Sequence, residues 1–227
     1  ELIHASARWP RRIGTAIYVS LLHGHHVSAH LRVHHPGVAT PEDPNSAPRG
    51  MGFWQFLPRA LLGEFRAGLR ADNAQRRRAQ QPPARLSHPY VLYLGGAVLA
   101  LFVSVLIAGW GGLIAHLGLA TYAQTQLLLS DYVQHYGLQR GRRADGRYLP
   151  VGPEHSWNAP KWYSSAMMLN APRHSDHHLR PARPFPALTI ADDMPRLPYS
   201  LPVMAVIALV PPLWRRVMDR RLARWTR

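Results

Sequence analysis

The sequence predicts an all-α fold, an integral-membrane multi-helix bundle. Two long stretches without a charged residue follow one another, Tyr90 to Trp110 and Gly111 to Ser130. Arginines cluster on both sides of this pair, and histidines recur in short groups outside it. The first feature predicts helices that cross a bilayer, the second predicts their orientation, and the third marks the chemistry of the chain.

The composition excludes several classes of protein. The chain has 227 residues, of which 47% are hydrophobic, and this is enough for a packed core or for membrane spans. It has no cysteine, so a disulfide framework, a thiolate metal site and a cysteine nucleophile are excluded. Any metal must therefore be bound by His, Asp or Glu, and 14 histidines are available.

The stretch from Tyr90 to Trp110, YVLYLGGAVLALFVSVLIAGW, is long enough to cross a membrane. About 20 helical residues at about 1.5 Å each span the roughly 30 Å hydrocarbon core. Tyr90, Tyr93 and Trp110 are placed as anchors at the membrane interfaces. The following stretch to Ser130 is more polar but also uncharged, and we interpret it as a second span. A buried hairpin of a soluble protein is the alternative interpretation of both stretches.

The arginines predict which side of the membrane each end of this pair occupies. Arg85 and its neighbours precede the first span. Further arginines follow the second span, at Arg140, Arg142, Arg143 and Arg147. By the positive-inside rule both flanks are cytoplasmic, so residues 90–130 are predicted to form a transmembrane hairpin that turns near Trp110. The net charge of +15 is then mostly a matter of topology, and we expect no nucleic-acid partner.

Two further segments are assigned from composition. Residues 66–85 combine arginines with Gln and Pro and are predicted to form a loop. The stretch from Leu201 to Trp214, LPVMAVIALVPPLW, is apolar but short, and Pro211 and Pro212 interrupt it. We expect it to be embedded in the membrane or to lie at its interface without forming an independent span.

Histidines recur with the spacing that places side chains on one face of a helix. Two motifs, HLRVHH and RHSDHH, each contain a pair four residues apart with a third histidine beside it. Their histidines are His30, His34, His35, His174, His177 and His178. The segment DYVQHYG adds His135 just after the second predicted span.

The start of the chain contributes one more candidate. The residues ELIH, Glu1 to His4, have the form of the second half of an H-E-x-x-H motif whose first histidine would precede Glu1. We therefore expect an N-terminally truncated piece of a single membrane-bound domain, inactive when expressed alone; the family resemblance given below implies that helices upstream of it are missing. The upstream sequence would test this expectation directly.

The predicted hairpin brings these eight histidines to one side of the membrane. A structural zinc site uses four ligands and a catalytic one three, so eight imidazoles suit two metal ions. Imidazole is a ligand for iron, zinc, copper and nickel. A site beside an apolar hairpin is placed to meet substrates that dissolve in lipid, which favours oxygen chemistry over hydrolysis.

The motifs resemble those of the membrane-bound alkane 1-monooxygenases, non-haem di-iron enzymes related to xylene monooxygenases and fatty-acid desaturases. The resemblance is carried by ELIH, GHHVSAHLRVHHPGVATPEDPNSAPRG, DYVQHYGLQR, GRY, HSWN, RHSDHH and the tail MPRLPYSLPVMAVIALVPPLWRRVMD. These segments span nearly the whole chain. The three histidine boxes are shared with the desaturases, whereas HYGL and VATPEDP distinguish the alkane enzymes within the superfamily.

The resemblance implies a complete set of functional residues and partners. The catalytic iron ligands would be His4, His30, His34, His35, His135, His174, His177 and His178. With two iron ions, O2 and electrons from rubredoxin and its reductase, the enzyme would hydroxylate the terminal carbon of a medium-chain alkane or a similar apolar substrate. It would be a multi-pass protein in the lipid of the bacterial inner membrane, with its active site on the cytoplasmic side.

The chain departs from the pattern of that family at positions beside the ligands. Ala29 and Gln134 each stand where a glutamate usually precedes a histidine, and Asp131 stands where asparagine is usual. Box two also reads HLRVHHPG, whereas H-N-R-G-H-H is common in the family. Residues around metal ligands orient them and tune the metal, so the identity and chain length of the substrate stay open.

Other polar residues have less specific interpretations. His155 in HSWN is close to the metals, lies at the substrate entry, or is an ordinary loop histidine. His26 lies four residues before His30, and it either faces the metals or is an interfacial histidine like its neighbours. Asp176 is a candidate acceptor for the Nδ1–H of a ligand imidazole.

Alternative functions use parts of the same pattern. A fatty-acid desaturase or hydroxylase, or a xylene-type methyl monooxygenase, would share the histidine boxes. A membrane zinc peptidase would use Glu1 as a general base but would leave most of the histidines without a role. A metal transporter would place histidines inside the spans, where only His116 lies in mid-span.

Overall fold

The structure, a computed structural model, describes residues 2–80 and 85–225, and its regular elements are helices. They are α1 (Arg8–Ser20), α2 (His26–Ala29), α3 (His35–Gly37), α4 (Phe53–Arg78), α5 (Pro89–His135), α6 (Trp162–Met167), α7 (His174–Leu179), α8 (Leu201–Ala208) and α9 (Pro211–Leu222). A π-helical turn, His30–His34, joins α2 to α3. Short 3-10 turns lie at Leu2–His4, Arg85–Ser87, Pro153–His155 and Phe185–Ala187. Among the described residues, β-type pairing is limited to isolated bridges, so the predicted all-α class is confirmed.

The chain divides into two compact units. The first combines His35–Leu61 with the chain from Leu128 onward, and the second combines Leu2–His34 with Leu62–Leu127. Helices α4 and α5 contribute residues to both units, because the boundaries fall within them. The assignment of the chain to a single domain stays a prediction.

The core of the first unit is aromatic. Phe53 and Phe56 in the first turns of α4 lie 5.6 and 5.3 Å from Tyr132, measured between ring centroids. Trp214 of α9 lies 5.2 Å from Tyr132 and 5.3 Å from Tyr136. All five side chains are fully buried. Burial of such large rings is the main stabilising term in a core, and edge-to-face contacts add to it.

Each buried phenol in this core has a polar partner. The hydroxyl of Tyr132 donates to the carbonyl oxygen of Met51 at 2.8 Å. The hydroxyl of Tyr136 donates to Asp219 Oδ1 at 2.9 Å and accepts the N–H of Gly50 at 2.8 Å. Burial raises the pKa of Tyr136 to about 12, so the phenol keeps its proton for Asp219. These bonds fix the segment before α4 against the end of α5.

Helix α5 is the one helix of the described residues that is long and apolar enough to cross a membrane. Its backbone leaves helical geometry at Ala108 and Gly109, where Gly109 has φ 57° and ψ −147°, a conformation that glycine alone adopts readily. Residues on the two sides of the break meet, with Ser104 Oγ 2.5 Å from His116 Nδ1. The two arms of α5 therefore run side by side, and the break lies close to the turn expected near Trp110. That this hairpin crosses a membrane stays a prediction.

Polar residues of the second arm of α5 donate hydrogen bonds to the last carbonyl groups of α1. The Nε2–H of His116 donates to the carbonyl oxygen of Ser20 at 2.6 Å, and the amide of Gln124 donates to that of Leu21 at 2.8 Å. The last carbonyl groups of a helix have no partner within the helix itself. The polar character of this second stretch thus has a structural explanation, and His116 serves as a helix-capping residue.

The prediction of a loop at residues 66–85 is wrong up to Arg78, because α4 continues to that residue. Residues 81–84 lie outside the described part of the chain. The buried residues Glu64, Gly68 and Asp72 recur every four positions, which is the pattern of a helix with one buried face. The arginines that suggested a loop are good helix formers and occupy the other faces.

The apolar stretch Leu201 to Trp214 forms parts of two separate helices. Helix α8 ends at Ala208, and α9 begins with Pro211 and Pro212. Proline is favoured in the first turn of a helix because the N–H that it lacks has no helical acceptor there. That the stretch from Leu201 to Trp214 is embedded in the membrane or lies at its interface stays a prediction.

We expect Tyr136→Phe to destabilise the protein by about 0.5–1.5 kcal/mol, because the hydroxyl of the buried Tyr136 bonds both Asp219 and the N–H of Gly50 and these bonds are lost. The midpoint of thermal unfolding in detergent should fall. Tyr122→Phe is the matched control, since its phenol is 64% exposed, and it should unfold at the original temperature. An unchanged midpoint for Tyr136→Phe would contradict the role assigned to this hydroxyl.

Candidate metal centre

The first unit gathers three buried imidazoles. His135 ends α5, His174 begins α7, and His178 follows one turn later. The Nε2 atom of His174 lies 2.9 Å from that of His135 and 3.2 Å from that of His178. Ligand atoms on a tetrahedral ion with metal–nitrogen bonds of about 2.1 Å are roughly 3.4 Å apart. The three nitrogens are therefore spaced like ligands of one metal ion.

His35 and His177 form a second group in the same unit. Their ring centroids are 5.0 Å apart, and their ligand atoms lie within 4.8 Å of one another. The sequence placed all three histidines of RHSDHH on one face of a helix. The structure keeps them close together but divides them, with His174 and His178 in one group and His177 beside His35.

The second unit holds the remaining candidates. The Nε2 atoms of His4 and His30 are 3.1 Å apart, and the rings of His30 and His34 stack at 5.3 Å. These two residues begin and end the π-helical turn, so their side chains project from the same side of it. Burial lowers the pKa of His4 to about 4, which leaves the neutral imidazole that binds metals. Glu1, the other visible member of the expected half-motif, lies outside the described residues.

Each unit thus brings its own candidates together. The first contains His35, His135, His174, His177 and His178, and the second contains His4, His30 and His34. The histidine groups confirm that the chain has clusters that could hold metal. The assignment of all eight residues as iron ligands stays a prediction.

Trp157 of the HSWN segment holds the backbone around His135. Its main-chain N–H donates to the carbonyl oxygen of Gln134 at 2.8 Å, and its indole N–H donates to that of Tyr136 at 2.9 Å. Gly137, which follows, has φ 75°, and a Cβ atom there would overlap the side chain of Leu222. The glycine of the HYG segment is therefore required by both backbone conformation and packing.

Asn158 of the same segment caps α7. Its Oδ1 accepts the N–H of Ser175 at 2.9 Å, and its Nδ2 donates to Ser175 Oγ at 2.7 Å. Ser175 Oγ donates in turn to the carbonyl oxygen of Ser156 at 2.9 Å. An N–H in the first turn of a helix needs an acceptor from outside the helix. The residues HSWN thus fix the orientation of α7, and with it His174 and His178.

Trp157 and Asn158 were not predicted as functional residues. The available signal was the HSWN segment itself, which belongs to the motifs that carry the family resemblance. The sequence singled out only His155 in this segment. That residue is buried in a different arrangement, where its Nδ1 accepts the N–H of Gly152 at 2.7 Å and its Nε2 lies 3.3 Å from Glu154. His155 is therefore a loop histidine.

Gln134 and Asp131 make structural contacts in the first unit. The amide of Gln134 donates to the carbonyl oxygen of Ala171 at 3.1 Å, which ties α5 to the segment before α7. Asp131 Oδ2 accepts the amide N–H of Asn45 at 2.8 Å. Asp43 closes the turn that holds Asn45, since its Oδ1 accepts the main-chain N–H of Asn45 at 3.1 Å. The VATPEDP segment is thereby attached one turn before His135.

Asp176 has a different role from the one considered for it. Its fully buried carboxylate accepts bonds from Arg180 at 2.8 Å, from Arg183 at 2.9 Å and from the N–H of Thr189 at 2.9 Å. Burial raises the pKa of this carboxyl group, but the Thr189 N–H and the two arginines outweigh it and hold the pKa below its ordinary value. Asp176 therefore anchors the loop after α7, with arginines and not imidazoles as its described partners.

A further group lies entirely within the second unit. His23, His26 and Glu64 have ligand atoms within 4.8 Å of one another, and all three residues are buried. The ring of His26 also lies 5.0 Å from that of His30. From the sequence, His26 either faces the metals or is interfacial like His23 and His25, and no local pattern pairs it with a glutamate 38 positions away.

Comparison with known proteins supports the resemblance found in the motifs. Residues 1–221 match a family described as "Fatty acid desaturase". Alkane 1-monooxygenase 1 of Pseudomonas aeruginosa is 37% identical over 98% of this chain and 58% of its own length. Alkane 1-monooxygenase 2 of the same organism is 35% identical over 98% of this chain and 59% of its own length. Alkane 1-monooxygenase of Acinetobacter baylyi is 35% identical over 98% of this chain and 54% of its own length.

The chain spans a little over half the length of these curated relatives. Over that length, the resemblance to the alkane 1-monooxygenases within the desaturase and hydroxylase superfamily is confirmed.

We expect Asn158→Ala to weaken metal binding by about 10- to 100-fold, because α7 loses the cap that orients two candidate ligands. The measurement is competition for the bound metal with a chelator, accompanied by circular dichroism to check that the helices persist. Asn73→Ala is the matched control, since Asn73 bonds His88 away from the centre. Metal retention equal to that of the unsubstituted protein would contradict the positioning role of Asn158.

Proposed function

The chain belongs to the fatty acid desaturase family, and on this premise we propose that it hydroxylates the terminal carbon of medium-chain alkanes or of a similar apolar substrate. The observation that carries the proposal is the convergence of His135, His174 and His178, whose Nε2 atoms approach to 2.9 and 3.2 Å. The names of the relatives, alkane 1-monooxygenases, indicate the reaction.

The donor set fits two iron ions. Imidazole nitrogen suits iron, zinc, copper and nickel, and eight such donors exceed what one ion uses. We propose that the irons are held by His4, His30, His34, His35, His135, His174, His177 and His178. When bound, the irons supply the activation of O2, chemistry that no amino-acid side chain provides.

The chain's own residues contribute neutral donors and fixed positions. Trp157 and Asn158 hold His135 and α7 in place through buried hydrogen bonds. The carboxylate of Asp176 is balanced by Arg180 and Arg183, so it does little to offset positive charge at the metals. The centre is consequently held mainly by uncharged nitrogen, and it keeps a high positive charge when metals are bound.

The surroundings suit an apolar substrate in a membrane. The exposed faces of α5 are apolar along most of its length. In the most apolar 18-residue stretch of this helix, only 6% of the residues are buried. Such a surface belongs in lipid, where alkanes also dissolve. We propose a multi-pass protein of the bacterial inner membrane, with the metals on the cytoplasmic side where the arginines of the flanking segments lie.

The electron donor is proposed to be rubredoxin, served by its reductase. The arginines after α5 offer a basic surface to an acidic partner. Two of them also shape this segment, since Arg140 donates to the carbonyl oxygen of Pro36 at 2.7 Å and Arg142 stacks on Tyr148 at 4.1 Å. Arg143 and Arg147 are exposed and remain available for docking.

The protein that contains this chain, purified without oxygen, should hold about two irons per chain, because the histidines suffice for two ions and exceed the needs of one. Elemental analysis of the purified protein measures this number directly. A result of one zinc and no iron would contradict the oxygenase.

His177→Ala should abolish the conversion of octane to octanol in whole cells supplied with rubredoxin and its reductase, because a lost ligand opens or empties the metal site. His88→Gln is the matched control, since His88 bonds Asn73 outside the histidine groups, and it should retain activity. Full activity in His177→Ala would refute the ligand assignment, whereas an unsaturated product from the unsubstituted enzyme would favour a desaturase.

A further inference from the structure

The segment between α1 and α2 meets the middle of α4 at a buried cluster of histidines and one glutamate. Glu64 Oε1 lies 2.7 Å from His23 Nε2 and 3.3 Å from His25 Nε2, and Glu64 Oε2 lies 3.0 Å from His26 Nδ1. All four residues belong to the second unit. Glu64 is 0% exposed, and His23 and His26 are each 2% exposed. The metal ligands proposed above do not include any of them.

A buried carboxylate requires positive charge close to it. Removing an isolated carboxylate from water costs several kcal/mol or more, and the group is stable inside a protein only when paired or bound to a metal. The other buried carboxylate of this unit, Asp72, meets that need with an arginine, since Arg32 Nη1 lies 2.8 Å from its Oδ1. Glu64 is instead surrounded by imidazoles, which supply positive charge only by taking up a proton or by sharing a metal ion.

The geometry of the cluster favours the metal. His23 Nε2 and His26 Nδ1 face different oxygens of the same buried carboxylate, at 2.7 and 3.0 Å. One nitrogen from each of two imidazoles and one carboxylate oxygen thus lie within 4.8 Å of one another, as the ligands of a divalent ion do.

We propose that His23, His26 and Glu64 bind a divalent transition-metal ion, separate from the two irons of the oxygenase centre. Two imidazoles and one carboxylate form a donor set that proteins use for zinc and for ferrous iron. The ligand atoms of these three residues lie within 4.8 Å of one another, and His25 Nε2 lies 3.3 Å from Glu64 Oε1.

The ion would fasten the start of α2 to α4. His23 and His26 flank the beginning of α2, and His30 follows one turn after His26, with the two rings 5.0 Å apart. A metal that fixes His26 to Glu64 would therefore fix the helix that continues into the HLRVHH motif. Its role would be to hold these ligands in position, and it would take no part in the oxygen chemistry itself.

The test is a comparison of metal content in the whole protein purified in detergent with zinc supplied. Glu64→Gln keeps the shape of the side chain but removes its charge, and it should lose about one equivalent of zinc while about two irons remain. Asp72→Asn is the matched control, a buried carboxylate of the same unit paired with arginine, and it should retain all metal. Equal zinc content in Glu64→Gln and the unsubstituted protein would overturn the proposal in favour of a proton-paired carboxylate.

X-ray absorption at the zinc edge provides a second measurement that does not depend on how well the variant folds. The unsubstituted protein should show two imidazoles and one carboxylate oxygen at about 2.0–2.2 Å. A shell of water and buffer ligands would overturn the site. His178→Ala separates the two metal proposals, because it should deplete iron while leaving this zinc signal intact; if no iron is found in any variant, only the oxygenase proposal fails.

Discussion

The candidate centre of the first unit depends on the capping of α7 by the side chain of Asn158. The interaction joins two short segments that have little structure of their own, HSWN and RHSDHH, and it is buried completely. Through Asn158 the N-terminus of α7 is fixed, and through the adjacent Trp157 the backbone on both sides of His135 is fixed. The consecutive residues Trp157 and Asn158 thus position imidazoles from two distant parts of the sequence, the end of α5 and α7.

Several polar residues near the candidate ligands likewise bind groups of the protein scaffold. Gln134 bonds a carbonyl oxygen of the segment before α7, and Asp131 bonds the turn of VATPEDP through Asn45. Asp176 takes its bonds from arginines and from the N–H of Thr189. These hydrogen bonds thus build the scaffold that positions the candidate imidazoles of this unit.

The sequence predicted what depends on composition and on helical periodicity. Charge-free length identified α5, and the spacing of HLRVHH and RHSDHH identified the histidine groups, because residues three or four apart share a helix face. The extent of α4 was missed, since its last turns are so rich in arginine that the buried stripe was hidden. The π-helical turn at His30–His34 was also missed, because a π turn results from packing and has no local sequence signal.

The pairing of Glu64 with histidines was beyond sequence reasoning for a different reason. Periodicity relates residues within one helix, whereas this contact joins two segments that are far apart in the chain. Two buried carboxylates of the second unit illustrate the consequence. Asp72 is neutralised by Arg32, but Glu64 lies among imidazoles, whose charge depends on what they bind. An arginine at this position would balance the carboxylate permanently, whereas imidazoles allow the balance to come from a metal ion, and the position of α2 would then depend on that ion.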